Sequence, residues 1–171
     1  MKPAFYLPGI CLLLLCCKTP KETAEASPAT TTTAGATTQV AAIPQTTDSL
    51  FVSIERTPCY GQCPMYKFSI YTSGYAVYEG KRFVEKLGKY EARISASVME
   101  EIEQKAKAIN YFGFRDEYPK TAVDFPSVKT SMVLDGKRKN IMDGTGAPTA
   151  LKEFEKYLDS VKDSVEWRQV H

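Results

Sequence analysis

Cys59 and Cys63 are the residues whose types and spacing most directly suggest chemistry. They lie four apart within Thr57-Pro58-Cys59-Tyr60-Gly61-Gln62-Cys63-Pro64-Met65-Tyr66, with a proline outside each and a glycine between. Proline and glycine favour a turn, and a turn brings the two Cα atoms into the bridging range of roughly 4.4–6.8 Å. A disulfide closing so short a loop stabilises by about 2 kcal/mol on chain-entropy grounds. Two other chemistries use the same atoms. A redox dithiol ordinarily has two intervening residues at a helix N-terminus, whereas three intervene here and prolines flank the pair. Cu(I) suits soft sulfur ligands, and Met65 would add a thioether to Cys59 and Cys63. The disulfide is the expected state, with an envelope thiol–disulfide or Cu(I)-binding role as the alternative.

Other reactive residues form no comparable pattern. The single histidine, His171, ends the chain, which takes away the usual general base and zinc ligand. Asp116, Glu117 and Asp124 could act as a carboxylate cluster in acid–base work, yet loop carboxylates are more commonly caps and turn-formers. Asp143-Gly144-Thr145-Gly146 lacks the lysine and spacing of a phosphate loop and is expected to be a turn. Lys137-Arg138-Lys139 reads as a solvated strand start that also guards an edge. Tyrosines alternating along strands are sheet packing first and ligand-groove residues second. No catalytic constellation, cofactor fingerprint or metal-ligand set emerges, so the expectation is a non-enzymatic protein with no cofactor and no metal.

The 171 residues, 43% hydrophobic and 25% charged, suit one core and one domain. A net charge of +2, spread among acidic residues, gives no basis for nucleic-acid binding. At the N-terminus Met1-Lys2 precedes an apolar run, Ala4 to Leu15, interrupted by Pro8 and Gly9. That run is too short for a transmembrane helix and has the form of a secretory signal. Leu14-Leu15-Cys16-Cys17 resembles the box of bacterial lipoproteins, with Cys16 where Gly, Ala or Ser is commoner. The resemblance implies a signal peptide over 1–16 and a lipid, palmitate included, on Cys17. Lys18, rather than aspartate, follows it, which by the same resemblance points to the outer membrane. Of five cysteines, Cys11 and Cys16 leave with the signal and Cys17 carries lipid. Cys59 and Cys63 remain, an even pair in an oxidising compartment.

From residue 18 to 47 Thr, Ala, Pro, Ser and Gln dominate without amphipathic period. Such a segment buries too little to offset the entropy of ordering it and is expected to act as a tether of roughly 30 Å root-mean-square span. The domain is expected over 48–167, followed by a tail, 168–171. Phe51 to Arg56 reads as a first strand ended by Pro58. Met65 to Tyr71, Tyr75 to Glu79 and Gly88 to Ile94 alternate as antiparallel strands with one face on water. The period then switches: Met99, Ile102, Ala106 and Ile109 mark a helix, capped by Ser95 or by Ser97 in a box with Glu100. Phe114 to Pro126 is irregular. Val128 to Leu134 and Lys137 to Met142 flank Asp135-Gly136, a hairpin signal. Pro148 opens a last helix with the stripe Leu151, Phe154, Leu158, Val161 and Val165. The expected class is α+β, an antiparallel sheet of about six strands in ββββαββα order with two helices on one face.

Arg56-Thr57-Pro58-Cys59-Tyr60-Gly61-Gln62-Cys63-Pro64-Met65-Tyr66, with Val77-Tyr78-Glu79-Gly80, Asp124-Phe125-Pro126 and Gly146-Ala147-Pro148, resembles a family of bacterial exported proteins. That family is classed only as a domain of unknown function, number six-four-three-eight, with a P-C-x-G-x-C-P-x-Y signature. The resemblance spans Ser49 to Trp167 and brings no activity with it. Together these readings describe a lipid-anchored cell-envelope protein. It meets the membrane through Cys17 and an unidentified envelope protein or ligand through the domain. Tyr60, Gln62 and Asp124 are the candidate contact surface.

Overall fold

Alternation along the chain produces the sheet, and the computed structural model describes residues 48–120 and 124–171. The expected signal peptide, Cys17 and the tether lie outside the described residues. The first four strands, β1 (Leu50–Arg56), β2 (Met65–Tyr71), β3 (Tyr75–Arg82) and β4 (Gly88–Arg93), form an antiparallel meander. Helix α1 (Ala96–Ala108) follows, then β5 (Glu117–Tyr118), β6 (Val128–Leu134), β7 (Lys137–Asp143), helix α2 (Thr149–Asp163) and β8 (Arg168–Gln169). The strands make one sheet in the order β5-β7-β6-β1-β2-β3-β4-β8, antiparallel throughout except that β5 runs parallel to β7.

The α+β class stands, while the six-strand expectation is corrected to eight, in the order ββββαβββαβ. Both additions are two-residue edge strands. β5 falls in the stretch expected to be irregular and β8 in the expected tail. Two residues cannot display a period of two; they are strands only because β7 and β4 offer them unpaired edges. β3 also continues past Glu79 to Arg82. The α1 cap is Ser95, whose hydroxyl accepts the Val98 N–H at 3.4 Å.

Register sets the faces. Val52, Ile54 and Arg56 of β1 lie beside Ile70, Phe68 and Tyr66 of β2, which lie beside Ala76, Tyr78 and Gly80 of β3. Met132, Thr130 and Val128 continue the same face on β6. The α2 stripe of Leu151, Phe154, Leu158 and Val161 is buried with the apolar members of this face in one core. Tyr111, fully buried, stacks near Phe154 with ring centroids 5.5 Å apart and donates to Thr130 Oγ1 at 2.7 Å. The opposite face is charged in alternation. Lys129, Glu55, Lys67, Glu79 and Lys89 stand in register across five strands, so each charge has opposite-sign neighbours.

Two connections need backbone freedom. Asp135 and Gly136 both have positive φ, 51° and 71°, the pairing that a two-residue hairpin with the native twist requires. At Gly80 the β3–β4 loop folds back so closely that a Cβ there would lie 1.8 Å from the Lys86 carbonyl oxygen. Gly80→Ala is therefore expected to push the 83–87 loop outward and to cost about 1–3 kcal/mol. Urea denaturation checks the stability, and wild-type stability in the variant would contradict the close approach.

Candidate functional site

Arg56 is the last residue of β1 and Tyr66 the second of β2, and they stand opposite each other in the ladder. Alternation points both at the helix face, where α2 passes over the end of the sheet. There Arg56 Nη2 donates to one carboxylate oxygen of Asp159, and the Tyr66 hydroxyl donates to the other. Burial tends to lower the Arg56 pKa, but the Asp159 charge and hydrogen bond outweigh it, so the guanidinium is held more firmly protonated. Burial, then the Asp159 charge, pushes the Tyr66 hydroxyl well up, which keeps it a donor.

Lys152, Glu155, Asp159 and Lys162 follow one another at spacings of three and four, so α2 presents them along one side. One turn before Asp159, Glu155 is only 3% exposed, and its Oε1 has no hydrogen-bond partner among the described residues. Burial, reinforced by Asp143, pushes its pKa up to about 8. Asp143 ends β7 beneath it and accepts the N–H groups of Thr145 at 2.7 Å and Ala147 at 3.1 Å. On the other side of Asp159, Lys162 lies against Asp163, with Nζ 4.8 Å from the Tyr66 ring centroid and 5.7 Å from that of Tyr78.

Two cavities flank Asp159. The larger, about 610 Å³, is lined by Tyr66, Tyr78, Phe83, Asp159, Lys162 and Trp167 among others. The smaller, about 270 Å³, is lined by Arg56, Phe125, Val128, Asp143 and Glu155 among others. The Arg56–Asp159–Tyr66 cluster thus contributes walls to both.

The β1–β2 connection closes over this end of the sheet. Cys59 and Cys63 have Cα atoms 5.7 Å apart and sulfurs at bonding distance. In that state neither sulfur is a free thiolate for exchange or for Cu(I). A strand, rather than a helix, follows Cys63. The loop is held by Thr57, whose N–H donates to the Ser127 carbonyl at 3.0 Å and whose hydroxyl accepts the Ser127 N–H at 2.8 Å. Tyr60 N–H donates to the Asp124 carbonyl at 3.4 Å. Tyr60, Gln62 and Asp124 are all exposed, and the first and last of them are neighbours. Asp116 pairs instead with Lys139 at 2.6 Å. Among the described residues no group of three or more His, Cys, Asp or Glu side chains is placed to hold a metal. Cys17 lies outside the described residues, and His171 is exposed.

A family model for a domain of unknown function, DUF6438, matches residues 50–162. The chain belongs to that family. No curated protein matches it. The DUF6438 segment takes in Arg56, Tyr66, Asp143, Glu155 and Asp159 and ends at Lys162, so Trp167 and β8 lie beyond it. Sequence reasoning missed these five residues as a group. Arg56 and Tyr66 bracket the cysteine stretch, a signal that was available. Glu155 falls four after Leu151 and three before Leu158, a carboxylate on an apolar stripe. Nothing local in the DUF6438 sequence points from either end to Asp159.

Glu155 yields a pH prediction. Its folded pKa lies above its ordinary value of 4.5, so between that value and about 8 the folded state binds more protons than the unfolded chain. Stability contributed through Glu155 is therefore present at acid pH and is lost as pH rises through this window. Thermal melts of wild type and Glu155→Gln from pH 5 to 9 are expected to diverge, the variant gaining relative stability as pH rises. Parallel profiles would contradict the burial-driven shift. Separately, Tyr66→Phe deletes a hydrogen bond to a charged group and is expected to cost about 1.5–3 kcal/mol in denaturant unfolding.

Proposed function

We propose that the chain is a lipid-anchored cell-envelope binding module. Cys17 carries the lipid, residues 18–47 tether the domain, and the outer membrane is the site of anchoring. The domain meets an envelope ligand or protein through one end of its sheet and performs no catalysis of its own.

The observation that carries this reading is the placement of the exposed apolar side chains. Among the described residues, the large hydrophobic side chains left exposed are Tyr60, Phe83, Leu87 and Phe125. Tyr60 lies in the β1–β2 connection, Phe83 and Leu87 in the β3–β4 loop, and Phe125 just before β6. In the ladder these three connections adjoin one sheet end, where Val128, Arg56, Tyr66, Gly80 and Gly88 stand in register. The chain enters β1 at Leu50, at the opposite end, where the turns are Thr72-Ser73-Gly74 and Asp135-Gly136. Aromatic side chains gathered on one surface and held by short connections are the composition of a contact site. The disulfide-held loop also loses little freedom on binding.

A photoreactive residue replacing Tyr60 is expected to trap envelope material in cells, while the same residue replacing Lys137 at the opposite end traps none. Equal trapping from both ends would overturn the reading. Replacing Cys17 by Ser is expected to release the protein from the membrane fraction, and unchanged association would refute the anchor. Thiol exchange is separable: Cys63→Ser leaves Cys59 free, and accumulation of mixed disulfides through it would favour the redox role.

A further inference from the structure

The larger cavity flanking Asp159 has a composition more specific than a general contact surface. Its walls carry four aromatic rings, Tyr66, Tyr78, Phe83 and Trp167, together with Glu85, Lys86, Asp159, Lys162 and Asp163. Each carboxylate is paired: Asp159 with Arg56, which stands outside the cleft lining, Asp163 with Lys162 and Glu85 with Lys86 at 3.9 Å. A net-charged ligand therefore finds no opposite excess to recognise it. What the cleft does offer is hydrogen-bonding capacity of both kinds around apolar ring surface. Carboxylates accept, ammonium groups donate, and the Tyr78 hydroxyl, which makes no hydrogen bond to protein among the described residues, can do either.

The wall nearest solvent is held in an unusual state. Phe83 has a φ of 54°, a region a bulky side chain seldom adopts, and such residues persist where surrounding structure over-determines them. Here Arg82 lies over the Phe83 ring, 4.9 Å from its centroid, and the loop is packed down on Gly80. Phe83 is nonetheless 43% exposed, which leaves ring surface open to a ligand. Trp167 forms another wall, fixed by its indole N–H donating to the Lys162 carbonyl at 2.9 Å.

We propose that this cleft binds a neutral saccharide, one sugar face against the accessible ring surface of Phe83 and Trp167 and its hydroxyls on the carboxylates, ammonium groups and the Tyr78 hydroxyl. Sugars combine an apolar C–H face with closely spaced groups that both donate and accept, which matches a charge-paired aromatic cleft. At about 610 Å³ the space falls in the range of small-molecule sites. The inference rests on the reading of the domain as a binding module and supplies the ligand class.

Trp167 is the chain's single tryptophan, so intrinsic fluorescence reports directly from the cleft wall. The purified full chain is titrated with N-acetylglucosamine tetramer, maltotetraose, spermidine and citrate. At least one of the two saccharides is expected to change Trp167 emission saturably, more tightly than either charged compound. Phe83→Ala is expected to weaken that binding by about tenfold. Lys137→Ala, at the opposite end of the sheet, is expected to leave it unchanged. Absence of a response to either saccharide at millimolar concentration overturns the proposal, as does tighter binding of spermidine or citrate. Wild-type affinity in Phe83→Ala overturns it too. If position 60 still traps envelope material when the saccharides fail, the binding-module reading stands and only the ligand class falls.

Discussion

The carboxylate of Asp159 is the point on which the architecture turns. Its two oxygens are taken by Arg56 and Tyr66, which close one strand and open the next, so the last helix is fastened to the first hairpin across roughly a hundred residues. Hydrophobic burial alone would place α2 on the sheet without fixing its rotation or axial position. A two-pronged acceptor met by two donors from opposed ladder positions does fix them, because charge-assisted hydrogen bonds are directional as well as strong. From that anchor, Glu155 is set over Asp143 on one side and Lys162 over the rings of Tyr66 and Tyr78 on the other. Removing either donor leaves a part-buried carboxylate short of a partner, which costs more than the intact interaction contributes.

The two ends of the sheet are chemically unlike. One carries small polar turns and receives the chain at Leu50; there Asp48 takes hydrogen bonds from Thr72 Oγ1 at 2.7 Å and the Ser73 N–H at 2.9 Å. The other carries the disulfide loop, the strained Phe83, and the exposed Tyr60, Leu87 and Phe125. Loops at a sheet end are free to vary while register keeps their bases aligned, which is why the contact surface we propose lies with the second set. The Cys59–Cys63 bridge closes the loop that carries Tyr60.

Much of the fold was legible because the signals were local. Tyr66, Phe68 and Ile70 alternate, Ile102 and Ala106 recur at helical spacing, and Asp135-Gly136 marks its hairpin within two residues. The short strands at Glu117–Tyr118 and Arg168–Gln169 were not legible, since their only support is a neighbouring edge. The site divides the same way. The cysteine pair could be read from turn chemistry, whereas Tyr60 meets Asp124 only because β1 pairs with β6. The Arg56–Asp159–Tyr66 cluster could not be read, because an arginine, a tyrosine and an aspartate look like surface residues until register and helix placement bring them together. Glu155 is hidden differently: a carboxylate four after Leu151 and three before Leu158, it is one of the buried members of the helix.

The most direct test of this account is a double-mutant cycle on unfolding free energy with Arg56→Met, Asp159→Leu and the pair. If Asp159 fastens the first hairpin to the last helix, each single variant loses substantial stability. The double variant then loses clearly less than their sum, giving a coupling of about 0.5–3 kcal/mol. Additivity within about 0.5 kcal/mol, the behaviour of independent sites, would contradict it.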